Sequence, residues 1–189
     1  FDHPNIISMV GAGHDERTGL IFLVLEQLEG RPLNRLIAAE APVAPHEAIQ
    51  LMVPVCEALD TIHCEGLVHR DIKPANLFVT RDQQGQESVK ILDFGITRFM
   101  GDDPVDNDLS AGRVLGSVDY ASPEQALREP LDGRTDLYAI GVILHELLLG
   151  RVPYYREEAL ETLKAHIEEP VPSLPLEFPR DLADLVESL

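Results

Sequence analysis

The sequence predicts an α+β fold, mainly α, with a few short strands near one edge. Three observations predict it. The apolar run from Ile140 to Leu149, broken only by His145 and Glu146, sits in a helical segment (136–149) that is apolar on most sides, as a buried central helix must be. From Pro45 onward, Ile49, Met52, Val53, Cys56, Leu59 and Ile62 form a helical stripe. Leu77-Phe78-Val79 and Val89-Lys90-Ile91-Leu92 read as two short strands, and the polar residues from Asp82 to Gly85 between them suit a hairpin turn. With 189 residues one domain is expected, and 44% hydrophobic content suffices for a core.

The remaining elements follow in order. Leu20 to Leu25 is a short apolar run, predicted as a buried strand, which Glu29-Gly30-Arg31-Pro32 breaks. Leu33, Leu36 and Ile37 begin a short helix that fails near Pro42. Pro45 can open the long helix because a first-turn residue needs no N–H partner. Pro54 removes one of its backbone bonds, and Gly66 ends it. Residues 100–112 are acidic and poor in apolar side chains, hence an exposed loop. Gly150 stops the central helix and Pro153 prevents its return. Residues 157–167 read as a surface helix, and the four prolines between Pro170 and Pro179 as an extended connector. Leu182, Leu185, Val186 and Leu189 fall on one face of a last helix.

The net charge of -18 argues against nucleic acid and against anionic membrane surfaces, since like charge repels. A nucleotide escapes that argument, because local groups and metal ions override the global field. Cys56 and Cys64 on one helix would sit about 12 Å apart, too far for a disulfide. They are read as buried thiols of a reducing compartment. No signal peptide or membrane-spanning run is visible, so the expected location is the cytoplasm, with any anchor lying outside this sequence.

The chemistry concentrates at His69-Arg70-Asp71-Ile72-Lys73-Pro74-Ala75-Asn76, between the long helix and the hairpin, and at Asp93-Phe94-Gly95 after its second strand. A carboxylate and a side-chain amide on converging loops suit Mg²⁺, which prefers hard oxygen ligands. A second carboxylate can orient a hydroxyl nucleophile. Each residue also has a plainer reading: Asp71 as a turn former, Asn76 as a loop cap, Asp93 as a strand-ending turn residue, and the acidic run as a solvated face. Spacing and order set the plainer readings aside.

The sequence resembles the protein kinase family in several independent places. The motif from His69 to Asn76 resembles its catalytic loop, and Asp93-Phe94-Gly95 its metal-binding triplet. Gly116-Ser117-Val118-Asp119-Tyr120-Ala121-Ser122-Pro123-Glu124 resembles the end of its activation segment. Asp136-Leu137-Tyr138-Ala139-Ile140-Gly141 resembles the start of its central helix. His3-Pro4-Asn5-Ile6 resembles the turn after its regulatory helix, and Leu25-Glu26-Gln27-Leu28 its gatekeeper and hinge. The resemblance implies the larger kinase lobe over residues 29–189, and over 1–28 a hinge with a remnant of the smaller lobe.

It further implies roles. Asp71 is the catalytic base, Lys73 contacts the γ-phosphate, and Asn76 and Asp93 hold Mg²⁺. The backbones of Glu26 and Leu28 bond the adenine of ATP beside the gatekeeper Leu25, above Phe78 and Leu77. Met9, His69 and Phe94 belong to a stacked apolar column, Gly95 completes the triplet, and Asp136 anchors the catalytic loop. Lys73 points to serine and threonine hydroxyls of proteins as acceptors, and the Ser-Pro-Glu-Gln run resembles bacterial kinases of eukaryotic type. Ser117 is placed to bond Asp71 or Lys73. Ser110, the sole hydroxyl between Arg98 and Gly116, is expected to pair with Arg70 when phosphorylated, the alternative being that the Asp102, Asp103, Asp106 and Asp108 cluster partly substitutes for it.

The family's Gly-rich loop, strand lysine and helix glutamate have no match here and are expected before Phe1. Glu124 is expected to lack its arginine partner, leaving an unpaired buried carboxylate in a weakly stable chain with little activity by itself. A partner-binding pseudokinase and a small-molecule phosphotransferase are the competing readings.

Overall fold

The computed structural model describes residues 3–81, 87–92 and 118–189. Asp93, Phe94, Gly95, Ser110, Ser117, the turn from Asp82 to Gly85 and the acidic segment 100–112 lie outside the described residues.

Strands β1 (Met9–Asp15) and β2 (Leu20–Leu25) form an antiparallel pair, with Asp15 opposite Leu20 and Met9 opposite Leu25. The Asp15 carboxylate closes their turn by accepting from the Arg17 N–H at 2.9 Å and the Thr18 hydroxyl at 2.7 Å. The second sheet is antiparallel in the order β3 (Gly30–Pro32), β4 (Leu77–Arg81), β5 (Glu87–Ile91). Gly30 is required there. Its φ is 147°, and a Cβ would lie 2.0 Å from the Val79 carbonyl oxygen.

Helix α1 (Leu33–Glu40) buries Leu33, Leu36 and Ile37. Helix α2 (Pro45–Cys64) starts with Pro45 and runs through Pro54. The Glu47 carboxylate accepts from the Ala44 N–H at 3.1 Å, and Gly66 at φ 73° follows the end. Helix α3 (Pro123–Leu127) is short. Helix α4 (Gly133–Leu149) is the hub, with Ala139 to Leu144 buried without interruption. Its Gly150 cap adopts φ 71° and its N–H bonds the Glu146 carbonyl, the left-handed ending that glycine permits. Helices α5 (Ala159–Glu168) and α6 (Arg180–Ser188) complete the chain. The core lies where α2 packs against both β5 and α4.

Several expectations need correction. Leu20 to Leu25 is a strand, but every residue in it is exposed. An apolar run sets the propensity to extend, yet burial needs a covering layer, and β2 pairs only with β1 among the described residues. On α2 the buried face is Ala48, Leu51, Met52, Val55, Ala58, Leu59 and Ile62, while Val53 is exposed. Two partners, β5 and α4, bury a wider arc than one stripe. Cys64 is exposed at the helix end and Cys56 only half-buried, so the two are not buried thiols. On α6, Leu182 and Val186 are buried and Leu185 is exposed.

Candidate active site

The segment from Gly66 to β4 carries the site. Arg70 adopts φ 66°, a left-handed conformation that a non-glycine side chain rarely takes and that the surroundings must hold. They do so from α4. The Asp136 carboxylate, 1% exposed, accepts from the His69 N–H at 2.9 Å through Oδ2 and from the Arg70 N–H at 2.8 Å through Oδ1. His63 Nε2, from the end of α2, lies 2.8 Å from the same Oδ2. Three donors thus compensate a carboxylate removed from water.

The next residues form a bonded group. Lys73 Nζ donates to Asp71 Oδ1 at 3.1 Å, and Asn76 Nδ2 donates to Asp71 Oδ2 at 2.9 Å and to the Asp71 carbonyl at 2.8 Å. Asn76 is brought back toward Asp71 by a single 3-10 turn, Pro74–Asn76, in which Pro74 occupies the first position and the Asn76 N–H bonds the Lys73 carbonyl. The Leu92 N–H then bonds the Asn76 carbonyl at 2.8 Å, tying the end of the loop to the strand that leads to residue 93. His69, 3% exposed, lies beneath with Nε2 3.4 Å from the Leu92 carbonyl. Asp71 and Lys73 are both partly accessible, so the carboxylate is fixed in place without being sealed off.

Of the hinge candidates, Leu25 ends β2, and Glu26 and Leu28 lie in the connection from β2 to β3. The Glu26 N–H bonds the Ser8 carbonyl at 2.9 Å, and the Glu26 carboxylate accepts from Lys90 Nζ and from the Ser8 N–H, both at 2.8 Å. Its hydrogen bond to Lys90 holds the carboxyl below the ordinary range. Leu25 is exposed, Leu28 and Phe78 are half-buried, and Leu77 is fully buried beneath them in the three-stranded sheet. Among the described residues no cluster of three His, Cys, Asp or Glu side chains could hold a metal ion.

Glu124 corrects an expectation. It is half-buried, and its Oε1 accepts from the Thr135 hydroxyl at 2.6 Å. Its partner is therefore the first turn of α4, eleven residues on, which removes the reason given for an unpaired buried carboxylate. Sequence reasoning also missed His63, whose partner is 73 residues away, and Gln125. The latter left a legible trace, because Ser122-x-x-Gln125 has the capping-box spacing.

Comparison with known proteins decides the family. Residues 1–188 match the protein kinase domain. The chain belongs to that family. This kinase domain is 38% identical over 184 residues to a probable serine/threonine-protein kinase of Corynebacterium efficiens, covering 96% of the chain. It is 35% identical over 182 residues to the probable serine/threonine-protein kinase PknB of Corynebacterium glutamicum, covering 95% of the chain. It is 34% identical over 175 residues to the serine/threonine-protein kinase PknB of Mycolicibacterium smegmatis, covering 90%. The chain spans 27% of the length of each of these relatives. No helix among the described residues is long and apolar enough to cross a membrane.

Proposed function

We propose that this chain transfers the γ-phosphate of ATP to serine and threonine hydroxyls of protein substrates, in the cytoplasm where ATP is supplied. The observation that carries the proposal is the Asp71 carboxylate braced by Lys73 at 3.1 Å and Asn76 at 2.9 Å. In this reading residues 29–189 form the larger lobe and 1–28 the hinge and part of the smaller one. The substrate hydroxyl donates to Asp71 and its oxygen attacks the γ-phosphorus in line. The bond from that phosphorus to the bridging oxygen of ADP breaks as the hydroxyl proton passes to the Asp71 carboxylate. Lys73 offsets charge on the transferring phosphoryl group. The Glu26 carbonyl and Leu28 N–H are the adenine-facing groups, and no bond among the described residues uses either.

The residues present fit Mg²⁺ at one position. Both donated bonds of the Asn76 amide go to Asp71, and no donor among the described residues bonds its Oδ1, which leaves a hard oxygen for a cation. Asp93 would be the second ligand. When bound, Mg²⁺ neutralises the phosphate oxygens.

The test is phosphate transfer from labelled ATP to serine- and threonine-containing peptides by the full-length protein. Asp71→Asn should lower the rate by about 10²–10⁴-fold with ATP binding retained. ATP-independent partner binding, with no transfer by either form, would replace the enzyme reading with that of a scaffold.

A further inference from the structure

Gln125, at the third position of α3, makes bonds in two directions. Its Oε1 accepts from the Ser122 N–H at 3.1 Å, and its Nε2 donates to the Arg70 carbonyl at 2.8 Å. Ser122, fully buried, answers with its own hydroxyl, which accepts from the Gln125 N–H at 3.3 Å. These contacts permit one orientation of the amide. Turned over, it would set N–H against N–H at Ser122 and oxygen against oxygen at Arg70. A capping box uses only the side-chain oxygen of its third residue. The nitrogen is surplus to that role, and here it reaches across 55 residues of sequence to the backbone immediately before Asp71.

That backbone is the strained point of the loop. Arg70 sits at φ 66° and is clamped on its N–H side by Asp136. Gln125 holds its carbonyl side. The Arg70–Asp71 peptide plane therefore has its oxygen tied to α3, while its N–H faces His69 Nδ1 at 3.3 Å. Rotation of that plane would swing the Asp71 side chain away from Lys73 and Asn76.

We infer that Gln125 is a positioning residue for Asp71, fixing the Arg70–Asp71 peptide so that the docking of α3 sets the direction of the carboxylate. The inference rests on the kinase reading. Glutamate at 125 separates the two roles of the side chain, because it keeps the acceptor that caps α3 and loses the donor that reaches Arg70. Gln125 is only half-buried, so a glutamate there can turn its second oxygen to solvent instead of facing the Arg70 carbonyl. In the full-length protein, Gln125→Glu should melt within about 2 °C of the wild type, leave the KM for ATP within about twofold, and lower kcat about tenfold, the scale of one lost hydrogen bond. Gln125→Leu should lower kcat as much and also lower the melting temperature. Asp71 amide hydrogen exchange should quicken about tenfold in both variants, with α2 unchanged. If Asp71→Asn matches the wild type, the kinase reading fails. If Asp71→Asn is inactive while Gln125→Glu turns over at the wild-type rate, only the positioning role fails. Where no form turns over, unchanged exchange at Asp71 overturns it.

Discussion

His63 Nε2 lies 2.8 Å from Oδ2 of Asp136, joining the last turn of α2 to the first turn of α4. Gly133 packs against the ring, and a Cβ there would come within 2.7 Å of His63 Nδ1. Asp136 in turn holds the N–H groups of His69 and Arg70. One buried carboxylate thus joins two helices and the loop that carries Asp71.

His63→Leu removes one of three donors from a carboxylate that water cannot reach. The expected loss is about 1–3 kcal/mol of unfolding free energy, measured by urea titration. Gly133→Ala should destabilise as well, by pushing the ring away from Asp136. A His63→Leu variant as stable as the parent would mean that the two backbone donors suffice.

Acid should loosen the packing around α5. His166 is buried, its Nδ1 is 2.6 Å from the Tyr138 hydroxyl, and its ring meets the Tyr138 and Tyr154 rings edge-on. Burial lowers its pKa from 6.5 to about 4. Between those values the unfolded chain binds a proton that the folded chain refuses, so stability rises with pH and is lost as pH falls through that window. His145, also lowered by burial, acts in the same direction. Asp119 and Glu146, raised by burial, act in the opposite one. Replacing His166 by Gln keeps a polar partner for Tyr138 and removes the titration. The slope of unfolding free energy between pH 6.5 and 4.5 should fall by about 1 kcal/mol per pH unit on average, most of one proton's worth, in parallel urea titrations. Equal slopes would place the acid sensitivity elsewhere.

The Thr135 hydroxyl, 2% exposed, donates to Glu124 at 2.6 Å. Thr135→Val preserves shape and leaves Glu124 without that donor, which should cost about 1–2 kcal/mol, while Thr135→Ser should be close to neutral. Thermal unfolding of the two variants side by side checks this. Equal melting temperatures would show that water satisfies Glu124 equally well.

What the sequence disclosed and what it hid follow from the range of the forces involved. Helix α4 was legible because apolar periodicity, Gly150 and Pro153 are local signals, and its observed start at Gly133 lies only three residues before Asp136. The grouping of Asp71, Lys73 and Asn76 was legible because a single turn brings them together. The exposure of Leu20 to Leu25 was not, since a strand's environment depends on what covers it. Nor was β1, where Gly11-Ala12-Gly13 lacks the branched residues that favour strands and pairing with β2 supplies the order. The anchoring of the loop by Asp136 was expected from the resemblance, but the pairings of Glu124 with Thr135 and of Asp136 with His63 were hidden for a third reason: a hydroxyl or an imidazole on another helix carries no mark of the carboxylate it will meet.

Asn5 joins the beginning of the chain to the site. It is buried, and its Nδ2 donates to the Val89 carbonyl at 2.8 Å and to Ser88 Oγ at 2.9 Å. Backbone bonds from Ile91 N to the Asn5 carbonyl and from Ile7 N to the Ile91 carbonyl extend the seam, so that Ile6 lies parallel to Ile91. Leu92, the next residue, bonds the Asn76 carbonyl. Asn5→Ala removes two donors and leaves the Val89 carbonyl unpaired in the interior, a loss of about 1–3 kcal/mol. Asn5→Asp should cost more, because a carboxylate oxygen would face that carbonyl at hydrogen-bond distance. Hydrogen exchange should show the Ile7 and Ile91 amides opening first, with α4 protected as before. Loss of protection spread evenly over the whole chain would instead mean that this seam and the helical core unfold as one unit.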